Sequence, residues 1–185
     1  MQFSQIAIVV LEYSSIIKGL AIVDIVTKKA QIKVLWAEPI SHGKFILLFE
    51  GGVGEVQEAY EAALEMSGES LVEDVFIPQV TSTLGPALGG EALSPINEAA
   101  VGMLESTSIA AAVEAADQVL KTAQLALNRF RLGKGIGGKS YFIFSGELED
   151  VQAGLEVGQE TLEARGALIG SELIARPNAE FLEVL

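Results

Sequence analysis

The chain repeats itself. Displaced by 93 positions, Leu11-Glu12-Tyr13-Ser14-Ser15-Ile16 falls on Leu104-Glu105-Ser106-Thr107-Ser108-Ile109, Asp24 on Asp117, Lys28 on Lys121, and Ala30-Gln31 on Ala123-Gln124. Residues 11–31 share 9 identities in 21 positions with residues 104–124, where chance gives about one in fifteen at ordinary composition. A two-residue insertion in the second half then moves the displacement to 95. Gly43-Lys44 meets Gly138-Lys139, Phe49 meets Phe144, Gly51 meets Gly146, and Val56-Gln57 meets Val151-Gln152. Such a period in 185 residues means two copies of one small domain, each stabilised by its own core.

The spacing predicts a first domain over residues 1–90, a second over 96–185, and a connector at 91–95 inside the Gly/Pro-punctuated stretch Gly85–Pro95. In the first copy, the apolar run Ile6–Leu11 reads as a strand buried on nearly both faces. Ser14 or Ser15 caps a helix that runs to Ala30. Val34–Ile40 and Lys44–Phe49 are strands about a tight turn at Ser41-His42-Gly43. Gly54–Met66 is a helix with Val56, Tyr60, Ala63 and Leu64 inward, stopped by Gly68, and Leu71–Ile77 is a last strand. The second copy repeats this with strands Ala99–Leu104, Leu125–Leu132, Ser140–Ser145 and Leu168–Ala175 and helices Ile109–Thr122 and Leu148–Ala164. The order βαββαβ, helices on one sheet face, predicts a ferredoxin-like α+β sandwich in each half.

Composition narrows the function. A net charge of −13, split as −7 and −6 between the halves, repels phosphates and anionic lipid, so neither nucleic acid nor a membrane surface is an expected partner. With no cysteine, disulfides and thiolate metal sites made from the chain's own residues are excluded. Ile6–Leu11 stops at Glu12, far short of the ~20 residues of a membrane span. The N-terminal residues carry no basic signal-peptide region, and the chain reads as a soluble cytoplasmic protein.

One motif invites an enzymatic reading. Gly133-Lys134-Gly135-Ile136-Gly137-Gly138-Lys139-Ser140 fits the phosphate-binding pattern GxxxxGK[ST] letter for letter. That chemistry needs a helix after the loop, whose N-terminal amides hold the phosphate. Here Tyr141-Phe142-Ile143-Phe144 follows, an aromatic and β-branched run that reads as a strand. The sister loop Ile40-Ser41-His42-Gly43-Lys44-Phe45 keeps only Gly-Lys. The expectation is a glycine hairpin and no enzyme.

The repeated elements resemble the bacterial microcompartment shell domain. They carry a strand ending in Glu (Glu12, Glu105), a helix with Asp-x-x-x-Lys-x-Ala (Asp24 to Ala30, Asp117 to Ala123), a glycine hairpin, and a second helix opened by Gly51 through Val56 or Gly146 through Val151. The resemblance covers nearly the whole chain twice, in unpermuted order, and is nearest to the tandem-domain trimeric class. It implies a homotrimer that mimics a hexamer, tiling a microcompartment shell in the cytoplasm. Other shell hexamers and pentamers are expected at its edges, and small metabolites in a central pore. Encapsulated enzymes are a further possible partner.

The resemblance also implies roles for particular residues. Ser41, His42 and Gly43, with Gly135, Ile136, Gly137 and Gly138 of the second copy, match the pore hairpins. Lys28, Lys121 and Arg176 match the tile edge; the first copy has Gln79 where the second has Arg176. Some relatives hold an iron–sulfur cluster through a hairpin cysteine. Ser41 stands at that position, and a neutral hydroxyl is a poor iron ligand, so no cofactor is expected. Three copies of His42, the chain's one histidine, are a candidate metal or charge ring on the axis; the simpler reading is a solvent-facing turn residue. Arg129, Arg131 and Lys134 either form an electropositive approach to the pore or a solvated strand face. Glu12 and Glu105, equivalent by repeat, read as structural rather than as an acid/base pair. The competing reading of the fold is a ferredoxin-like sensor binding a small ligand; the weakest is an ATPase dependent on Lys139.

Overall fold

The computed structural model describes residues 6–96 and 100–185. It divides into two compact units, one running to Gly89 and including Gly133–Gly138, the other made of Gly90–Leu132 and Lys139–Leu185. The glycine loop of the second repeat therefore belongs with the first unit.

The first repeat runs β1 (Ile6–Tyr13), α1 (Ile16–Lys29), β2 (Lys33–Pro39), β3 (Phe45–Gly52), α2 (Val53–Ser67) and β4 (Leu71–Ile77). A one-turn helix, α3 (Leu84–Leu88), follows. The second runs β5 (Ala100–Ser106), α4 (Ile109–Thr122), β6 (Ala126–Leu132), β7 (Ser140–Gly146), α5 (Leu148–Ala164) and β8 (Leu168–Ala175), then a short α6 (Ala179–Val184). Each repeat makes a four-stranded antiparallel sheet, ordered β2-β3-β1-β4 and β6-β7-β5-β8, the arrangement of a βαββαβ sandwich.

β1 is buried on both faces because both have cover. Ala7, Val9, Leu11 and Tyr13 alternate toward the helices and pack with Phe45, Leu47, Phe49, Ile22, Val26, Val56, Ala59 and Ala63. Ile8, Val10 and Glu12 point to the opposite face and are equally inaccessible, as are Ile46 and Leu48 of β3. Helix starts follow the repeat. Ser15 Oγ accepts from Lys18 N and its mate Ser108 Oγ accepts from Ala111 N, satisfying one orphan amide at each end. Gly68 closes α2 at φ 58, a conformation open to glycine at no steric cost.

Several sequence expectations need correcting. Leu64 is exposed, because the covered stripe of α2 runs Val56, Ala59, Ala63, Ser67, and Leu64 lies one step further round. The stretch from Gly85 is no plain connector: Leu84 and Gly85 are buried at the start of α3. α6 was not expected; its signal is Asn178, whose side chain accepts from Glu180 N after Pro177. Ala99, expected to open a strand, lies outside the described residues, and β5 is described from Ala100.

Two contacts in the first core yield predictions. A Cβ on Gly19 of α1 would stand 2.3 Å from Phe45 Cδ1 and 2.9 Å from its Cβ, so the helix rests directly on the phenyl ring. The second repeat has Ala112 and Ser140 at these two places. Gly19→Ala is expected to cost about 1–3 kcal/mol by overpacking; an unchanged denaturant midpoint would contradict the contact. The Tyr13 hydroxyl lies 2.9 Å from Ser67 Oγ in this core, and burial pushes the phenol from its ordinary 10.0 up to about 12. The folded state thus holds the Tyr13 proton more tightly than the unfolded chain. Its contribution is complete below pH 10 and is lost as pH rises toward 12. Tyr13→Phe should flatten that alkaline limb of a stability–pH curve.

Candidate functional site: the paired hairpin loops

Ile40 N donates to Lys44 O at 2.8 Å, closing the first hairpin over a single 3-10 turn, Ser41–Gly43. His42 is exposed at φ 63 and Gly43 follows at φ 75. A histidine in the left-handed region is uncommon, and short turns are where it is tolerated. The second loop, Gly133–Gly138, is held across its neck by Gly138 N donating to Gly133 O at 3.3 Å. Gly133, Gly135, Gly137 and Gly138 all have positive φ, so the conformation needs glycine at each.

Both loops lie in the first unit. A Cβ on Gly137 would be 3.4 Å from His42 Cε1, and one on Gly138 would be 3.6 Å from Ser41 O. The structure thus brings Ser41, His42, Gly137 and Gly138 together, while Gly43 and Gly135 face open space and Ile136 is half-buried. Lys139 and Ser140 lead straight into β7, so no helix follows this loop and the GxxxxGKS string lacks the strand–loop–helix order that would hold phosphate.

The two hairpin lysines have another task. Lys44 Nζ is 3.3 Å from Glu12 Oε2, and Lys139 Nζ is 3.0 Å from Glu105 Oε1. These are the same ion pair made twice, from the end of the first strand of each repeat to the start of the third. That accounts for both glutamates and both lysines without catalysis. The environments differ: Glu12 is fully buried, while the Glu105 side chain is 41% exposed.

Glu38 and Trp36 were not singled out from sequence, yet they complete the loop site. Lys134 Nζ lies 3.1 and 3.2 Å from the two carboxylate oxygens of Glu38, and the Trp36 indole N–H donates to the same carboxylate. The Trp36 hydrogen bond first, then Lys134, hold the Glu38 carboxyl below the usual range. The available signal was the repeat itself: Glu38 is the mate of Arg131, a charge reversal on equivalent strands. Lys134 is therefore neutralised by Glu38, and Arg131 is exposed while Arg129 is half-buried.

The edge residues lie apart from these loops in sequence and differ from one another. Lys28 is exposed and pairs with Asp24 at 2.6 Å. Lys121 makes the matching pair with Asp117, but Asp117 is fully buried and the lysine side chain is only 23% exposed. Arg176 is exposed at φ 53 immediately after β8. Its residue-for-residue match with Gln79 follows from strand register, since Ile77 pairs with Ile8 and Ile174 with Val101. Among the described residues no group of three or more His, Asp or Glu side chains is placed to hold a metal ion, and no helix is long and apolar enough to cross a membrane.

Known proteins share this fold. The family model described as the BMC domain matches twice, at residues 7–80 and 100–177. The bacterial microcompartment shell protein PduT of Citrobacter freundii is 35% identical over 173 residues, 93% of each chain. The carboxysome shell protein CcmK2 of Synechococcus elongatus is 34% identical over 89 residues, 46% of this chain and 84% of its own. A crystal structure of a microcompartment protein from Desulfitobacterium hafniense superposes with a TM-score of 0.86 at 32% identity, covering 98% of this chain and 100% of that one. The chain belongs to the BMC-domain family of bacterial microcompartment shell proteins, with two such domains in tandem.

Proposed function

We propose that the protein is a trimeric, pseudohexameric tile of a microcompartment shell in the cytoplasm, with the paired hairpins around a central pore for small metabolites. The observation that carries the trimer is an imbalance between the repeats. On α1, Ile17 is 80% and Leu20 53% exposed, while their mates on α4, Ala110 and Val113, are fully buried. The sheet face away from the helices shows the reverse. Val10, Glu12 and Ile46 are sealed in the first repeat, whereas the mates Met103, Glu105 and Tyr141 border an open cleft of about 420 Å³ with Gly170 and Glu172. Each chain is left with one uncovered helix face and one uncovered sheet face. Two different surfaces in contact make a head-to-tail interface, which closes into a ring of identical chains when the rotation between neighbours closes.

In that ring the loop residues Ser41 to Gly43 and Gly135 to Gly138 recur three times about the axis. Ser41 offers a hydroxyl where an iron–sulfur cluster needs thiolate, and the sequence has no cysteine. The donor set does not fit that group. Lys28 and Arg176, both exposed, would meet neighbouring hexamers and pentamers in the shell, with Lys121 anchored to Asp117 in a lesser role. Negative-stain images of the purified protein should show six-lobed discs, alone or in sheets; irregular or two-lobed particles would overturn the reading.

A further inference from the structure

The glycine loop has little of its own to hold it. Four of its six residues are glycines at positive φ, a Cβ on Gly135 would meet nothing within 4 Å, and one backbone bond spans its neck. Glycine maximises the freedom such a segment can regain. Its charged anchor is Lys134, bridged to both oxygens of Glu38 across 96 positions of sequence, with Trp36 steadying the carboxylate from β2. The neighbouring lysines are committed elsewhere, Lys44 to Glu12 and Lys139 to Glu105.

We propose that Glu38 and Lys134 form an ion-responsive clasp that holds the Gly133–Gly138 loop beside the Ser41–Gly43 turn, released when solution ions compete for the pair. Its consequence for passage of solutes rests on the pore reading above; the clasp itself does not. The Lys134 and Glu38 side chains are 73% and 34% exposed, so solvent ions reach both. A pair so placed biases a loop rather than locking it, by a factor of about two to five. When closed it presents a neutral pair at the hairpins; when open it adds a free ammonium and a free carboxylate.

Hydrogen exchange of the full-length protein, read on peptides covering Gly133–Lys139, tests this. Lys134→Met and Glu38→Gln should each speed loop exchange about two- to fivefold. The exchanged pair Glu38→Lys with Lys134→Glu should restore slow exchange. Raising salt from about 0.05 M to about 0.5 M should speed the wild-type loop and leave both single variants unchanged. Equal exchange in wild type and single variants, or a wild-type loop indifferent to salt, would overturn the clasp. The assembly mass, measured on the same samples, separates that failure from a failure of the trimer: a trimer with an indifferent loop removes the clasp alone.

Discussion

Ile17→Asp combined with Leu20→Asp converts the assembled protein into a folded monomer. Both side chains stand on the solvent face of α1, so neither supports the monomer's core, which α1 reaches through Gly19, Ile22 and Val26. In the proposed ring they enter the open sheet face of the next chain. Placing two carboxylates there forces unpaired charge into an interface core already bordered by Glu105 and Glu172. Association should weaken by at least about a hundredfold, while circular dichroism and the melting temperature of the separated chain stay close to those of the parent protein. A double variant that still runs as the parent oligomer would show that α1 is not the contact surface.

Lys44→Met should be the most damaging change to an ion pair of this fold. It removes the ammonium 3.3 Å from the Glu12 carboxylate, which is fully buried on β1 between β3 and β4, at a cost of about 2–4 kcal/mol. Glu12→Gln in the same chain should recover most of that, since the cost arises from the buried negative charge rather than lost packing. The repeat supplies the control. In the separated chain of the Ile17→Asp, Leu20→Asp variant, where no neighbour covers the cleft, Lys139→Met breaks the same pair with Glu105 half in solvent, and should cost less than about 1 kcal/mol. Chemical denaturation measures both; equal losses at Lys44 and Lys139 would mean that burial does not govern these pairs.

The fold was legible because duplication doubles every weak local signal. Ser15, read as a cap beside the alternative Ser14, falls on Ser108 in the repeat, which caps α4 in the same way, and the Gly-Lys at both hairpins marks the phosphate-loop string as an accident of turn chemistry. What escaped was set by tertiary placement. Leu64 and Ala59 lie a few residues apart on one apolar arc of α2, and only packing against the sheet decides which is covered. Nothing in the letters of Glu38 and Lys134 couples them, since they lie 96 residues apart and meet only because the second glycine loop belongs with the first unit. The ion pairs of Glu12 and Glu105 are identical in sequence, and their unequal burial is a property of the fold.

The imbalance between the two halves is also the basis for assembly. A chain of two like domains whose helix and sheet faces are unequally covered cannot satisfy all of its apolar surface alone. The mass of the particle in solution, by size-exclusion chromatography with light scattering, tests this most directly. Three chains of 19.5 kDa give a particle of about 58 kDa, which is the result expected for a closed head-to-tail ring. A stable particle of 19.5 kDa, or one of twice that mass, would contradict the trimer and leave Ile17 and Leu20 without the partner assigned to them.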